Sequence, residues 1–477
     1  MTSYDAVIVG AGPNGLTAAA RLAKRGWSVC VLEAADTIGG GCRTTELGVP
    51  GVRHDICAAA HPLGAASPAF HALQLDRYGV TWRHSEAVSA HPLDDGDAAF
   101  LYRDLAATTA QFSNDHWASL FGPILKRWSA ISSTLLGPLL TVPAHPFALA
   151  SMAPAALPAT TIGRWLRDPR AAALFAGMAG HGIEPIDRPL TSGVALLLGA
   201  AGHRVGWPVA EGGSQAIMNG LARIITEHGG TIRTSHPVRS RRDLPTARAT
   251  LLDTNPAQIA TITGYQGRRY RSFRHGPGSC KVDYVLRGPM PWTNPGVRTA
   301  ATVHLGGVQA DILTAQQSVA RGTSAALPYV LVTQPAAADP TRRTSSGEPL
   351  WAYCHVPSGW AGDVSESIEK QFDRFAPGWR DLVISKHVRT ATQLADYNAN
   401  YIGGDVAGGS LAGLRSVARP VWTTHPYQIP VEGFWLCSAS TPPGAGVHGM
   451  SGWHAAAAVV KAAKDRGDEW SANETIA

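Results

Sequence analysis

The stretch Val7-Ile8-Val9-Gly10-Ala11-Gly12-Pro13-Asn14-Gly15 sets three glycines in a G-x-G-x-x-G order, and the next apolar run ends on Glu33. Tyr4 to Val9 is apolar and rich in β-branched residues. Pro13 to Arg25 carries helix-compatible Ala and Leu until Gly26 stops it, and Ser28 to Leu32 predicts a second strand. Strand, tight turn, helix and strand in that order make a dinucleotide-binding unit. Gly10 permits the turn, Gly12 lets the backbone approach a pyrophosphate, and Gly15 lets the helix that opens with Pro13 and Asn14 pack closely on the sheet. The N-terminus of that helix points its free N–H groups at the anion. Glu33, with Ala34 beside it, is placed to accept hydrogen bonds from ribose hydroxyls, and an acid there disfavours the extra phosphate of NADP.

Immediately downstream, Ile38-Gly39-Gly40-Gly41-Cys42-Arg43-Thr44 is too rich in glycine for the interior of a helix or strand. It reads as backbone brought against a flat or anionic ligand, with Arg43 for a phosphate and Thr44 for a nearby hydrogen bond. Gly-Gly-x-x-Arg-Thr at this distance from the acid resembles the second pyrophosphate contact of flavoproteins, which favours FAD over NAD.

Composition narrows the remaining possibilities. The 477 residues suffice for two or three domains with large cores. The formal charge of +6, from 41 basic and 35 acidic residues, is spread without a basic block, so nucleic acid is not an expected partner. The N-terminus enters a strand directly, without a basic stretch and an apolar leader, and cytoplasmic residence is the expectation. The most apolar region, Leu135 to Leu157, is broken by Pro138, Pro143, Pro146 and Pro154. It reads as a buried helical hairpin, or else as a greasy channel or a surface resting peripherally on a bilayer. Cys30, Cys42, Cys57, Cys280, Cys354 and Cys437 form no CxxC, and the 18 histidines form no metal-binding pattern, so neither dithiol chemistry nor a metal site is predicted.

Taken together, the motifs resemble the phytoene desaturase-like branch of the FAD-dependent amine oxidase superfamily. The likeness rests on Gly39 to Thr44 with His54-Asp55-Ile56-Cys57 and His61-Pro62, Gly206-Trp207-Pro208 with Glu211-Gly212-Gly213-Ser214-Gln215, and Leu251-Leu252-Asp253-Thr254. It continues through Gly276 to Asp283 and Pro443-Gly444-Ala445-Gly446-Val447-His448-Gly449. The resemblance implies an α/β protein: a discontinuous Rossmann-type FAD-binding domain (1–84, 206–269 and 421–477), a helical substrate or cap region (85–205) and a mixed-sheet substrate domain (270–420). Ser214 is expected to N-cap the helix Ala216 to Glu227, and Thr231 to Arg239 to form a strand whose Val238 lies against adenine. The resemblance further implies that Gly446, Val447, His448 and Gly449 lead into a helix whose N-terminus faces the flavin. Ser440 takes the place where many relatives have an acid holding the ribityl chain.

Catalytic candidates are few, since a flavin carries the electrons and the protein supplies orientation and electrostatics. Lys281 is either the lysine that amine oxidases set near the flavin or a strand lysine reaching solvent. His448 serves the ring or substrate, or caps a loop. His54 with Asp55 forms an acid/base pair, or Asp55 stabilises a turn. His181 lines the pocket or ends a helix. The implied activity is hydride transfer between flavin N5 and an apolar small molecule such as an isoprenoid or polyene. Two other readings are an amine or amino-acid oxidase, for which Tyr397 and Tyr401 are the aromatic candidates, and a flavin-binding protein without turnover.

Overall fold

The computed structural model describes residues 3–140 and 145–465. Positions 141–144, which include Pro143 of the apolar stretch, and 466–477, the end of the segment assigned to nucleotide binding, lie outside the described residues.

Tyr4–Val9 forms the centre of a five-stranded parallel sheet, ordered Phe434–Leu436, Ala247–Leu252, Tyr4–Val9, Val29–Leu32, Thr231–Arg233. A strand buried on both faces has to read as a nearly continuous apolar run, which Ala6 to Val9 does. The helix Pro13–Ala23 packs on Gln215–Glu227 and Met450–Asp465, joined by a core that includes Ile8, Leu16, Ile217, Leu221 and Val459. The contact is close because small residues face each other: a Cβ on Gly452 would collide with the carbonyl of Asn14.

A second, seven-stranded sheet runs Val383–Arg389, Gly278–Leu286, Glu348–Val356, Val330–Thr333, Ala300–Leu305, Ala87–Pro92, Ala98–Leu101. Its pairs are antiparallel except for Ala300–Leu305 against Ala87–Pro92. Residues 87–101, inside the stretch read as helical, thus supply the last two strands at one end of this sheet. Their buried side chains divide between two cores: Ala87, Ala90 and Ala98 join the core of the mixed sheet, whereas Val88, Ala99 and Leu101 face the cap helices. The helices His116–Lys126, Ala159–Leu166, Pro169–Gly180 and Thr191–Val205 pack there around Phe121, Leu174, Phe175 and Leu196. An α/β fold with a Rossmann-like unit and a large mixed sheet is what the sequence led us to expect. Among the described residues no helix is long and apolar enough to cross a membrane.

Two local expectations fail for identifiable reasons. The strand beginning at Thr231 stops at Arg233, because Ser235 turns to φ 50° and the N–H groups of Ser235 and His236 donate to the carbonyls of Ala35 and Glu33. Ser214 does not N-cap with its side chain; it is itself helical, and its Oγ donates to the Ala58 carbonyl. The cap comes from outside the helix. Asp55 Oδ1 accepts from Ser214 N at 2.8 Å, and Thr44 Oγ1 accepts from Gln215 N at 3.0 Å.

Candidate functional site

Both ends of the chain reach one chamber of about 910 Å³ between the two sheets and the helical cap. Gly10, Gly12, Pro13 and Asn14 line it at one end of the chain, and Ser440, Gly446 and Val447 line it from the other. Glu33, Ala34, Gly40, Gly41, Cys42, Arg43 and Val238 also reach it, Val238 from an irregular segment rather than a strand. Gly15, Thr44, His448 and Gly449 do not line it, and each supports the wall from behind. Gly15 lets the helix meet the turn, since a Cβ there would strike the Gly10 carbonyl. Thr44 Oγ1 donates to Asp55 at 2.7 Å. His448 Nδ1 accepts from Met450 N at 3.0 Å, which makes it a cap for the last helix, and a Cβ on Gly449 would run into Thr17.

Charge on the nucleotide side is handled mostly by backbone. Glu33 Oε2 accepts from Ala11 N at 2.7 Å and Oε1 from Ala35 N at 3.0 Å, so the acid is fixed at the strand end. Arg43 approaches Glu33 at 3.4 Å, donates to the Thr37 carbonyl at 2.7 Å and lies 5.5 Å over the Tyr397 ring. The Tyr397 hydroxyl donates to the Gly40 carbonyl at 3.1 Å. Ser438 and Ser440 hydrogen-bond each other at 2.6 Å where an acid was the alternative.

The facing wall belongs to the mixed sheet. Lys281 lines the chamber, pairs with Asp283, and sets its Nζ 5.0 Å from the Trp351 ring centroid. Register explains the grouping: Lys281 lies opposite Tyr353 and Asp283 opposite Trp351, so alternate residues of two strands share a face. His54 Nδ1 stands 3.4 Å from Asp283, and Arg389 stands 3.9 Å from its other oxygen. Burial would raise the Asp283 pKa, but Lys281 and His54 outweigh it and hold the carboxylate charged. Burial lowers the Lys281 pKa, opposed by Asp283.

His54 and Asp55 do not form the expected pair. His54 turns to Asp283, whereas Asp55 accepts from Arg342 at 2.8 Å, and neither lines the chamber. Adjacent residues of the strand Arg53–Asp55 point to opposite faces, which separates them. Burial alone would raise the Asp55 pKa; Arg342, Ser214 N and Thr44 bring it below the ordinary value. His181 does line the chamber, its Nε2 2.9 Å from Nε2 of His304, and burial lowers its pKa to about 3.

Four chamber residues escaped the sequence reading. Trp351 and Tyr353 were legible only as alternate positions of a strand. His61, whose Nε2 lies 2.9 Å from Ser214 Oγ and whose pKa burial lowers to about 4, was noted only as part of a motif. Asp253, which ends its strand beside the glycine turn, offered the one usable signal, an acid directly after Leu251-Leu252.

The donor set fits FAD. It provides a fixed acid for ribose, glycine backbone for a pyrophosphate, a second glycine loop at the far end, and a wall of Lys281, Trp351 and Tyr353 broad enough for a flat ring. Beyond that wall the lining turns apolar, through Leu135, Leu139, Met152, Val194, Leu197 and Leu198 of the cap. Among the described residues no cluster of His, Cys, Asp or Glu could hold a metal ion.

Comparison with known proteins agrees with this architecture. Residues 8–74 match the NAD(P)-binding Rossmann-like domain family. Over 97% of this chain and 94% of the relative, the sequence is 24% identical to pyridine nucleotide-disulfide oxidoreductase domain-containing protein 2 of Rattus norvegicus. Over 49% of each chain it is 31% identical to hydroxyneurosporene desaturase of Cereibacter sphaeroides. Putrescine oxidase bound to putrescine superposes with a TM-score of 0.62 at 18% identity, covering 96% of this chain and 99% of that one. The structural likeness therefore extends over nearly the whole chain and shows a shared fold.

Proposed function

We propose that the chain is an FAD-dependent oxidoreductase that oxidises or reduces an apolar small molecule of isoprenoid or polyene type. One observation carries the reading: the glycine turn, the C-terminal glycine loop, the Lys281 wall and the apolar cap all open on a single chamber. Bound there, FAD would supply a two-electron acceptor for a hydride from a substrate C–H bond. The chain's own residues do the rest. Gly10, Gly12, Glu33, Gly40, Gly41 and Arg43 would hold the dinucleotide, with Ser440, Gly446 and Val447 closing on its other end. Leu135, Leu139, Met152, Leu197 and Leu198 exclude water and orient an apolar chain toward the Lys281 wall. Lys281 keeps its ammonium against Asp283 and Trp351, where Nζ can hold or pass one proton to a polar group or water in the chamber.

The desaturase relative supports this substrate class. The putrescine oxidase likeness, at 18% identity, speaks for the fold alone. Tyr397 and Tyr401, the aromatic pair an amine oxidase would use, are already engaged: Tyr397 with the Gly40 carbonyl, and Tyr401 with Cys57 and against Gly41.

Purified protein should be yellow, and under anaerobic conditions its flavin should bleach with a polyene or isoprenoid and not with a diamine. Lys281→Met should keep the flavin and slow bleaching by roughly the 10²- to 10⁴-fold typical of a lost proton-transfer group. A colourless protein that cannot be reconstituted with FAD would end the proposal.

A further inference from the structure

Asp253 follows the strand Ala247–Leu252 and turns its carboxylate into the glycine turn. Oδ2 accepts from Gly15 N at 2.8 Å, and Gly12 N donates to the same carboxylate. A Cβ on Gly12 would stand 2.8 Å from Oδ2, so the carboxylate lies directly against the backbone that defines the dinucleotide motif. The residue is 8% exposed, lines the chamber, and makes no ion pair among the described residues. The ionisable groups that face it do not neutralise it. Glu33, at the end of the strand Val29–Leu32 two places along the sheet, is a second acid, and Cys437, at the end of the adjacent strand on the other side, is a buried thiol. Arg43, the cation of this corner, is committed to Glu33 and the Thr37 carbonyl. A carboxylate without a counter-cation therefore occupies donors of the turn on which a pyrophosphate would rest.

We propose that this fold takes up its dinucleotide together with a proton, and that Asp253 is the group that must become neutral when the pyrophosphate settles on the turn. The inference rests on the FAD reading above. Two carboxylates and a pyrophosphate cannot all stay charged in a buried corner whose arginine is already paired with Glu33. Burial and the Glu33 charge already raise the Asp253 pKa to about 7, against the lowering effect of the Gly15 and Gly12 donors. An added phosphate charge pushes it further in the same direction. The exchange balances simply: FAD and one solvent proton enter, the proton ends on Asp253, and no electron moves. Neutral Asp253 still accepts from the backbone N–H groups through one oxygen and gains an O–H to donate to a phosphate oxygen.

Linkage sets the sign. Below about pH 7 free Asp253 already carries the proton, and affinity should be flat; above it, affinity should fall about tenfold per pH unit until the pKa of the complex is reached. The test is FAD titration of the full-length protein stripped of flavin, followed by flavin fluorescence between about pH 6 and pH 9. Parallel calorimetry in two buffers of different ionisation heat counts protons. Wild type should take up nearly one proton per FAD at about pH 8, and its Kd should rise about 100-fold across that range. Asp253→Asn, of the same shape and always neutral, should bind with a flat pH profile and little proton uptake. Wild-type binding without uptake, or an asparagine variant that keeps the uptake, would overturn the inference while leaving the FAD reading intact. Absence of FAD binding by wild type would remove both. If Asp253→Asn does not fold, the wild-type proton count decides alone.

Discussion

The two long walls of the chamber hold charge in opposite ways. On the nucleotide side the groups that would meet a ligand's charge are mostly backbone N–H groups, held in place by glycines that admit no side chain. On the mixed-sheet side the charge sits on side chains, in a buried set of Lys281, Asp283 and Arg389 with His54 beside them, and burial keeps His91, His181 and His355 neutral elsewhere on that side. A backbone cradle has no titrating group of its own and feels protonation only through the Asp253 carboxylate that leans on it, but it is intolerant of added atoms. A side-chain cradle accepts changes of shape but fails when one partner loses or gains a proton.

Acid should expose this difference most strongly. Burial lowers the pKa of His91, His203 and His355 to about 4 and of His181 to about 3 on the sheet and cap side, against only His61 and His448, both at about 4, on the nucleotide side. The unfolded chain protonates these near the ordinary 6.5 and the native chain does not, so stability is complete above that value and lost as pH falls toward 4. Each such histidine removes up to about 1.4 kcal/mol per pH unit over the window. Tryptophan emission from the cap, where Trp207 contacts His181, should therefore change near about pH 5 before flavin is released, and flavin release first would break the comparison.

Next in size is Asp283→Ala, which leaves Lys281 and Arg389 without their carboxylate. It should cost about 3–5 kcal/mol in denaturant unfolding. Lys281→Met combined with Asp283→Leu should recover part of that loss, because the Lys281–Asp283 pair is then replaced as a unit while Arg389 still lacks its carboxylate. Gly15→Ala probes the other wall: the new Cβ meets the Gly10 carbonyl, and about 1–3 kcal/mol of stability should go together with most of the bound flavin. Tyr397→Phe sharpens the boundary between the walls. It removes the hydroxyl that joins Gly40 to Arg43, and should cost about 1 kcal/mol while leaving the acid sensitivity unchanged.

The same contrast explains what could be read from the chain. Gly10, Gly12, Gly15 and Glu33 act within one continuous stretch, so spacing alone revealed their arrangement. The Rossmann-like unit and the mixed sheet were legible through apolar runs and alternation. Asp55 was not, because its partners come from far away: Arg342 lies 287 residues on and Ser214 lies 159. Nothing local to His54-Asp55 tells that one residue turns to Asp283 and the other to a distant helix start. The two strands at 87–101 were hidden for another reason. Their alanines satisfy helical and strand patterns equally well, and only the helices packed on them decide.

The parallel sheet also sets a schedule for synthesis. Tyr4–Val9 pairs with Ala247–Leu252, which in turn pairs with Phe434–Leu436. A ribosome must therefore emit more than half of the 477 residues before the first strand has both its neighbours, and the sheet is complete only when Phe434–Leu436 has followed; loop closure over such spans is slow. Until then an apolar strand waits without its sheet, which makes the nascent chain a natural client for chaperones and places the risk of aggregation before the stop codon rather than after it.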